Sequence, residues 1–313
     1  MRKKISIMIP TYNEEENVTP LYEAIMNVFK NELTDYNYEI VFIDNKSKDL
    51  TRVKLRKICE KDKNVKAIFN AHNFGQFNSP YYGLLQTSGD CTISMCADFQ
   101  DPVEMIPKFV KEWEEGYKIV IGIKSKSKEN KLMRLFRTIY YKLIKKFSEV
   151  EQIEHFTGFG LYDKDFIQVL RDLKDPEPYM RGIVAELGYE RKEIEYVQQK
   201  RLHGKSSNNF MKLYDAAMVG ITSYTKVEIH LASIFGFIIA ALSFAVAIVY
   251  LILKLCFWEE FNAGIAPLLI GIFFFGGIQI FLLGFIGEYI AIMNQRIMNR
   301  PLVVEEERIN FDK

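Results

Sequence analysis

Short apolar runs and helical repeats of apolar residues alternate along the first half of this chain. Continuous apolar runs, typical of strands that are covered on both faces, lie at 5–9, 38–43, 65–69, 91–97 and 117–123. Between the runs, apolar residues recur at the 3.6-residue spacing of amphipathic helices, as in 18–29 and 105–113. Because strand–helix–strand units repeat, we predict an α/β fold with a doubly wound, mainly parallel, Rossmann-like sheet.

Two long uncharged stretches lie in the last third of the chain, at about 231–253 and 264–287. Since about 20 apolar residues cross a hydrocarbon core of ~30 Å, these stretches predict a transmembrane hairpin. Lys226 precedes the first stretch and Arg296 follows the second. The positive-inside rule then predicts a protein of the cell membrane with both hairpin ends in the cytoplasm. Glycines within the second stretch would allow two membrane helices to pack closely, so the sequence is compatible with a homo-oligomer but does not predict one.

The segment 124–148 is strongly basic, with nine Lys or Arg residues between 124 and 146 and one acid, Glu129. Two interpretations are open: a solvated basic helix packed on the domain, or a helix resting on an anionic membrane or a lipid phosphate. The predicted hairpin favours the second interpretation. We therefore divide the chain into a cytosolic domain (1–206), an interfacial helix (207–228), a membrane region (229–290) and a cytosolic tail (291–313).

Charge and cysteine usage exclude other classes of protein. The formal net charge is +1, which indicates no nucleic-acid partner. The four cysteines show no spacing typical of a disulfide framework or a zinc site, which fits a reduced, cytosolic setting. The first apolar run is shorter than the ~7–15 residues of a signal peptide, so we interpret it as a strand.

Polar residues follow the first and second predicted strands, at the edge where doubly wound sheets bind ligands. After the first strand, Tyr12 offers a stacking face and Glu14 can accept hydrogen bonds from a ribose or a base. After the second, Asp44 and Asn45 could contact a base edge or a ribose hydroxyl. The alternative is structural, because side chains such as Asn13 could cap the helix that follows.

Two further motifs follow the third and fourth strands. The sequence Asn73-Phe74-Gly75-Gln76 predicts a turn whose glycine permits close backbone approach. Asp98 and Gln100 lie two residues apart and therefore on one face. Their oxygens suit Mg²⁺ or Mn²⁺, which bind one or two carboxylates together with substrate phosphates. The alternative is that this segment only forms a turn before Pro102.

The motifs occur in one order: PTYNE, D-x-K-S-x-D, NFGQ, ADFQDP and RLHGKSS, then GEY and NRPLVVEEE after the uncharged stretches. In this order the chain resembles glycosyltransferase family 2. Within the family it is similar to polyprenyl-phosphate glycosyltransferases, relatives of dolichol-phosphate mannose synthase with a two-helix membrane anchor. The resemblance implies a GT-A-type fold. It also implies inverting transfer of a sugar, from a UDP-hexose to undecaprenyl phosphate or another polyprenyl phosphate, at the cytoplasmic membrane face for cell-envelope glycans.

The resemblance also implies roles for individual residues. Asp98 and Gln100 become metal and diphosphate contacts, and Arg201 becomes a residue that holds phosphate at the active site. Contacts to the nucleotide-sugar are implied for residues after the first three strands: Pro10, Tyr12, Glu14, Asp44, Asn45, Asn73 and Gly75. Three arginines are implied to meet the lipid phosphate: Arg134, Arg137 and Arg181.

Three positions depart from the family pattern: Cys96, Asn45, and Gly158 or one of its neighbours stand where the resemblance implies aspartate. These departures motivate an alternative, a catalytically inactive membrane scaffold that binds nucleotide-sugar. A missing base is tolerable, because a lipid phosphate with a second pKa near ~6 is already a charged nucleophile at neutral pH. A processive polysaccharide synthase is excluded, since neither Trp113 nor Trp258 lies in a Q-x-x-R-W motif. The identity of the sugar, and UDP over GDP, are left open.

Overall fold

The computed structural model describes residues 2–125, 153–176, 178–199, 201, 227–256, 265–298 and 300–311. The strands are β1 (Lys4–Thr11), β2 (Asn37–Asp44), β3 (Val65–Asn70), β4 (Cys91–Ser94), β5 (Ile119–Lys124), β6 (Phe156–Asp163), β7 (Arg191–Tyr196) and β8 (Glu305–Ile309). The helices are α1 (Val18–Asn31), α2 (Thr51–Lys61), α3 (Gly75–Leu85), α4 (Met105–Glu114), α5 (Lys164–Leu173), α6 (Met180–Glu186), α7 (Val227–Cys256) and α8 (Ile265–Ile297). The predicted interfacial helix falls almost entirely outside the described residues.

The strands form one sheet in the order β7-β5-β6-β4-β1-β2-β3-β8. Its centre is parallel: Ile7 of β1 lies opposite Ile40 of β2 on one side and Ile93 of β4 on the other. All three of these side chains are fully buried, as the continuous apolar runs predicted. The α/β class and the parallel centre of the sheet are therefore confirmed.

The sheet is mixed rather than mainly parallel throughout, which corrects the prediction at two places. Strand β6 runs antiparallel between β4 and β5, and β8 runs antiparallel beside β3. In β6, Gly158 and Gly160 interrupt the apolar pattern. A Cβ on Gly160 would lie 2.6 Å from the backbone oxygen of Val120, so the close approach of β5 and β6 requires glycine there.

Part of the predicted C-terminal tail (291–313) joins the sheet as β8, which the sequence did not predict. Its sequence, EEERI, is too charged to predict a strand. The charges are paired in the fold: Arg52 binds Glu306, and Arg56 binds Glu307. A short, charged strand is a common way to protect the edge of a sheet.

The chain divides into two compact units. The first comprises Met1–Lys145, Val150–Gly220 and Arg300–Lys313, and includes the whole sheet. The second comprises Lys146–Glu149 and Ile221–Asn299, and includes α7 and α8.

The predicted transmembrane hairpin is not confirmed. Among the residues that the structure describes, no helix has the length and apolarity needed to cross a membrane. Large apolar side chains on α7 and α8 are nevertheless exposed, among them Phe237 and Ile280, at 77% and 74%.

Candidate functional site

The carboxyl ends of β1, β2 and β4 meet at one edge of the sheet. In the order β3-β2-β1-β4 the direction of winding reverses between β1 and β4, and this switch point is where open α/β sheets bind ligands. The last residues of these three strands and the loops that follow them carry most of the predicted site: Pro10, Tyr12, Glu14, Asp44, Asn45, Asp98 and Gln100. The predicted site residues on these three segments therefore lie at one edge of the sheet, and their role in binding stays a prediction.

Asp98 and Arg201 form an ion pair at this edge. Asp98 follows β4 and is 4% exposed. Its Oδ1 accepts a hydrogen bond from the Gln100 backbone N–H at 3.1 Å, and its Oδ2 lies 2.9 Å from Arg201 Nε. Phe99, which lies between Asp98 and Gln100 in the chain, adopts a left-handed backbone conformation with φ 60°. Non-glycine residues adopt this conformation rarely, and mostly where the surrounding structure enforces it. The structure thus brings the two predicted catalytic residues into contact.

Glu14 lies within electrostatic range of this pair. Burial raises the pKa of Glu14, a hydrogen bond from Asn17 lowers it, and the negative charge of Asp98 raises it again. Asn17 Nδ2 donates to Glu14 Oε2 at 2.6 Å. The carboxylate of Glu14 is therefore bound to Asn17 and lies within electrostatic range of Asp98. It does not cap α1, whose N-cap residue, Asn17, has no side-chain capping bond.

The loops after β1 and β2 are joined by hydrogen bonds. Asn13, with φ 56°, donates its backbone N–H to Ser47 Oγ at 2.9 Å and accepts the Lys48 backbone N–H at 2.8 Å. The Glu14 backbone N–H donates to Thr51 Oγ1 at 2.8 Å. These contacts hold Asn13 in its left-handed conformation and make the two loops one structural unit.

Asp44 is buried and bound to protein groups. It is fully inaccessible to solvent, and its carboxylate accepts hydrogen bonds from Arg52 Nε and from Ser47 Oγ and N–H. The structure therefore places Asp44 beneath the loop that follows β2, where it fixes the loop. A direct contact between Asp44 and a nucleotide stays a prediction.

Asn45 organises the predicted turn at 73–75. Its Nδ2 donates to Asn73 Oδ1 at 3.0 Å and to the Gly75 carbonyl at 2.9 Å, while its Oδ1 accepts the Phe74 N–H at 2.8 Å. Gly75 has φ 87°, which favours glycine. The amide of Asn45 supplies both donors and an acceptor here, which a carboxylate could not do.

Lys124 at the end of β5 was not singled out in the sequence. Burial lowers the pKa of Lys124, the charges of Asp101 and Asp98 raise it, and Arg181 lowers it. Lys124 therefore lies within electrostatic range of Asp98, Asp101 and Arg181. Lys124 follows the predicted strand 117–123 directly, but it was grouped with the basic segment. Arg134 and Arg137 of that segment lie outside the described residues.

Asp101 is buried and stabilises the loop that contains Asp98. It accepts the Cys96 backbone N–H at 2.9 Å and the Tyr196 hydroxyl at 3.1 Å. Burial raises the pKa of Asp101, and these hydrogen bonds oppose the shift. Cys96 is exposed at the edge. The turn that the sequence offered as an alternative to a metal site therefore exists, and Asp98 and Gln100 lie within it.

The residues of this loop fit a metal site that the substrate completes. The described residues contain no group of three His, Cys, Asp or Glu side chains able to hold an ion. Asp98 and Gln100 offer two oxygen ligands, and Mg²⁺ or Mn²⁺ commonly takes its remaining ligands from substrate phosphates and water. Arg201 occupies one carboxylate oxygen of Asp98 and would have to release it.

Comparison with known proteins decides the family. The family model described as glycosyl transferase family 2 matches residues 6–170 of this chain. The chain belongs to glycosyl transferase family 2. This match begins in β1 and ends in α5, so it contains the loops that carry Glu14, Asp44 and Asp98.

Relatives that match along nearly the whole chain indicate which branch of family 2 it belongs to. The chain is 32% identical to the SfII prophage-derived bactoprenol glucosyl transferase of Shigella flexneri, over 95% of this chain and 96% of the relative. It is 31% identical to the prophage bactoprenol glucosyl transferase homolog of Escherichia coli K12, over 95% and 97%. The resemblance to the polyprenyl-phosphate branch of family 2 is thereby confirmed.

A solved structure is similar to this family 2 chain at low identity. Glucosyl-3-phosphoglycerate synthase from Mycobacterium tuberculosis, in complex with Mn²⁺, UDP-glucose and phosphoglyceric acid, aligns with 15% identity and a TM-score of 0.48. The alignment covers 70% of this chain and 78% of that chain.

Proposed function

We propose that this enzyme transfers a hexose from a UDP-sugar to a polyprenyl phosphate, with inversion at the anomeric carbon. The observation that carries the proposal is the Asp98–Arg201 pair at the switch point of the sheet, in a chain whose full-length relatives are named bactoprenol glucosyl transferases. A carboxylate and a guanidinium together suit a diphosphate leaving group, because one can hold a cation and the other binds phosphate oxygens directly.

The donor binds across the loops after β1, β2 and β4. Tyr12 and Glu14 receive the nucleoside, on the loop unit that Asn13 and Ser47 hold together. Asp98 and Gln100 would hold Mg²⁺ or Mn²⁺, which neutralises charge on the departing diphosphate. Arg201 turns from Asp98 to the diphosphate and stabilises the negative charge that develops there.

The phosphate group of the acceptor is itself the nucleophile. A phosphate monoester with a second pKa near ~6 is charged at neutral pH, so the enzyme needs no general base to activate it. Lys124, Arg181 and Arg201 supply positive charge at the same edge of the sheet and orient the phosphate towards the anomeric carbon. Positioning and charge stabilisation then provide most of the rate enhancement.

The helical unit supplies the contact with lipid in this proposal. Exposed apolar side chains such as Phe237 and Ile280 suit an apolar surrounding better than water. A lipid acceptor requires that the enzyme work at a bilayer surface. Flotation of the purified protein with lipid vesicles tests this step, and protein that stays at the bottom of the gradient would contradict it.

The reaction is tested with purified protein, undecaprenyl phosphate, Mn²⁺ and a panel of donors: UDP-glucose, UDP-galactose, UDP-N-acetylglucosamine and GDP-mannose. We expect a glycosylated lipid phosphate from one UDP-hexose, identified by mass spectrometry. Asp98→Asn, which keeps the shape of the side chain, is the control and should abolish the product. Folded wild-type protein that transfers no sugar from any donor would contradict the proposal.

A second candidate is a nucleotide-sugar-binding scaffold without turnover. The observations that favour it are the exposed Cys96 and the lack of a side chain at Gly158, two departures from the pattern that the family resemblance implies. This candidate predicts that the wild-type protein binds UDP-sugar and releases no UDP when acceptor is added. Release of UDP that depends on polyprenyl phosphate would exclude it.

A further inference from the structure

The C-terminal strand is connected to the candidate site by a partly buried arginine, Arg52. Strand β8 pairs with β3 at the edge of the sheet. Glu306, which is half-exposed on β8, accepts hydrogen bonds from Arg52 Nη1 at 2.8 Å and from Lys46 Nζ at 2.7 Å. These contacts join β8 to α2 and to the loop that follows β2.

Arg52 uses all three nitrogens of its guanidinium. Besides Glu306, it donates from Nε to Asp44 and from Nη2 to the Asn70 carbonyl at 2.6 Å. Its side chain is only 15% exposed. A planar fork of donors can bridge three acceptors in this way, and a lysine ammonium on a flexible stem cannot reproduce the geometry.

The contacts continue from Arg52 into the site. Asp44 binds Ser47 through both its hydroxyl and its backbone N–H. Ser47 Oγ then accepts the backbone N–H of Asn13 at 2.9 Å, and Asn13 lies between Tyr12 and Glu14. A continuous series of charged and hydrogen-bonded groups therefore runs from β8 to the loop that carries Glu14.

We propose that Arg52 and Glu306 are positioning residues for the nucleotide part of the donor. They fix Asp44 and Ser47, and these in turn hold Asn13 in the left-handed conformation that presents Tyr12 and Glu14. The strand that follows the helical unit thus sets the affinity for the nucleotide without touching it. This inference rests on the proposed function, because it assigns the same loops to the donor.

The chain provides a matched control for each residue. Arg56 lies one turn after Arg52 on α2, and both guanidinium groups lie over the ring of Phe69, at 4.5 Å and 5.2 Å from its centroid. Arg56 pairs with Glu307, the neighbour of Glu306 on β8. No contact described for Arg56 or Glu307 reaches Asp44, so changes there alter the attachment of β8 and leave the site unchanged.

The experiment measures the dissociation constants of UDP and GDP by calorimetry, and the KM values of donor and acceptor, in the full chain. We expect Arg52→Lys to weaken UDP binding roughly tenfold and Glu306→Gln roughly threefold. Both should raise the donor KM, with the acceptor KM within about twofold of the wild type. Arg56→Lys and Glu307→Gln should leave nucleotide binding within about twofold. Thermal midpoints of unfolding, measured on all four variants, show how much stability each substitution removes. The two arginine variants are then compared with each other, and the two glutamate variants likewise.

The results separate two kinds of failure. If wild-type protein binds UDP and transfers sugar, but Arg52→Lys and Arg56→Lys weaken UDP binding equally, the positioning role is wrong and the proposed function stands. If Glu306→Gln lowers the thermal midpoint with unchanged UDP affinity, the positioning role of Glu306 is likewise wrong. If folded wild-type protein binds no UDP, binds no GDP and transfers no sugar, the proposed function is wrong. The inference about Arg52 and Glu306 is then wrong as well.

Discussion

Arg201 Nε lies 2.9 Å from Asp98 Oδ2, so the carboxylate assigned to a metal ion is held by a guanidinium. The pair satisfies a nearly buried charge that would be costly without a partner. In the proposed site, a cation and Arg201 would therefore compete for one carboxylate. The diphosphate of the donor would offer Arg201 another anion and so release Asp98 to the cation.

Removal of the arginine should therefore have opposite effects on metal binding and on catalysis. In Arg201→Met we expect Mn²⁺ to bind several-fold more tightly in the absence of donor, because Asp98 loses its competing partner. The value of kcat/KM should fall on the order of 100-fold, since a group that stabilises the leaving diphosphate is lost. Electron paramagnetic resonance of free Mn²⁺ gives the first quantity and a steady-state assay the second. Unchanged Mn²⁺ affinity would show that the ion pair does not control the site.

Removal of divalent ions should stop the reaction. A chelator is expected to abolish sugar transfer, and excess Mn²⁺ or Mg²⁺ should restore it, because two protein oxygen ligands and a diphosphate make a site that needs the ion to bind the donor. Full activity after exhaustive chelation would show that Arg201 and Lys124 alone neutralise the diphosphate.

Lys124 should serve the acceptor rather than the donor. Replacement by methionine, which keeps the apolar stem and removes the charge, is expected to raise the KM for polyprenyl phosphate roughly tenfold, equivalent to about 1.4 kcal/mol. The donor KM should change little. Lys192→Met is the control, because Lys192 on β7 pairs with Glu112, away from the Asp98 loop. An equal change in both variants would rule out a specific contact.

The buried carboxylate of Glu39 should make stability depend on pH. Burial raises the pKa of Glu39, and hydrogen bonds from Lys66, Ser6 and Ser88 outweigh burial, so its folded pKa lies below the ordinary 4.5. The folded state then binds fewer protons than the unfolded state between these two values, and stability rises with pH across that window. Below the folded pKa, the contribution of Glu39 is lost.

The test compares Glu39→Gln with the wild type by urea unfolding between pH 3 and pH 7. We expect the variant to lose about 3 kcal/mol near neutral pH, as on removal of one partner from a buried ion pair. This difference should shrink as the pH falls through the folded pKa of Glu39. Glu32→Gln, at an exposed position of the same charge, should show no such pH dependence. A difference that stays constant with pH would contradict the ionised pair.

Local pattern predicted the centre of the fold and the edge of the site. Strands β1 to β5 are continuous apolar runs, so burial on both faces was visible in the sequence. Asp98 and Glu14 could be placed because each follows such a strand, and parallel strands present their carboxyl ends together. These predictions needed only near neighbours along the chain.

Long-range pairing accounts for what the sequence did not predict. Strand β8 consists largely of charged residues, and its partners Arg52 and Arg56 are about 250 residues away. The assignment of Asp44 to a nucleotide contact missed Arg52, because a helix surface gives no sign of which strand end its arginine faces. Lys124 was missed for a related reason, since its proximity to Asp101 depends on strand order rather than on sequence.

The late position of β8 in the chain has a consequence for biosynthesis. At a synthesis rate of ~5–20 residues per second, the ribosome needs tens of seconds to extend the chain from β3 to its antiparallel neighbour β8. During that time the outer edge of β3 has open backbone hydrogen-bonding groups, and Arg52 lacks Glu306. The nascent sheet therefore depends on protection by chaperones or by its own charged side chains until both long helices have been made. A shortened form that ends before Glu305 would keep this exposed edge permanently and should aggregate.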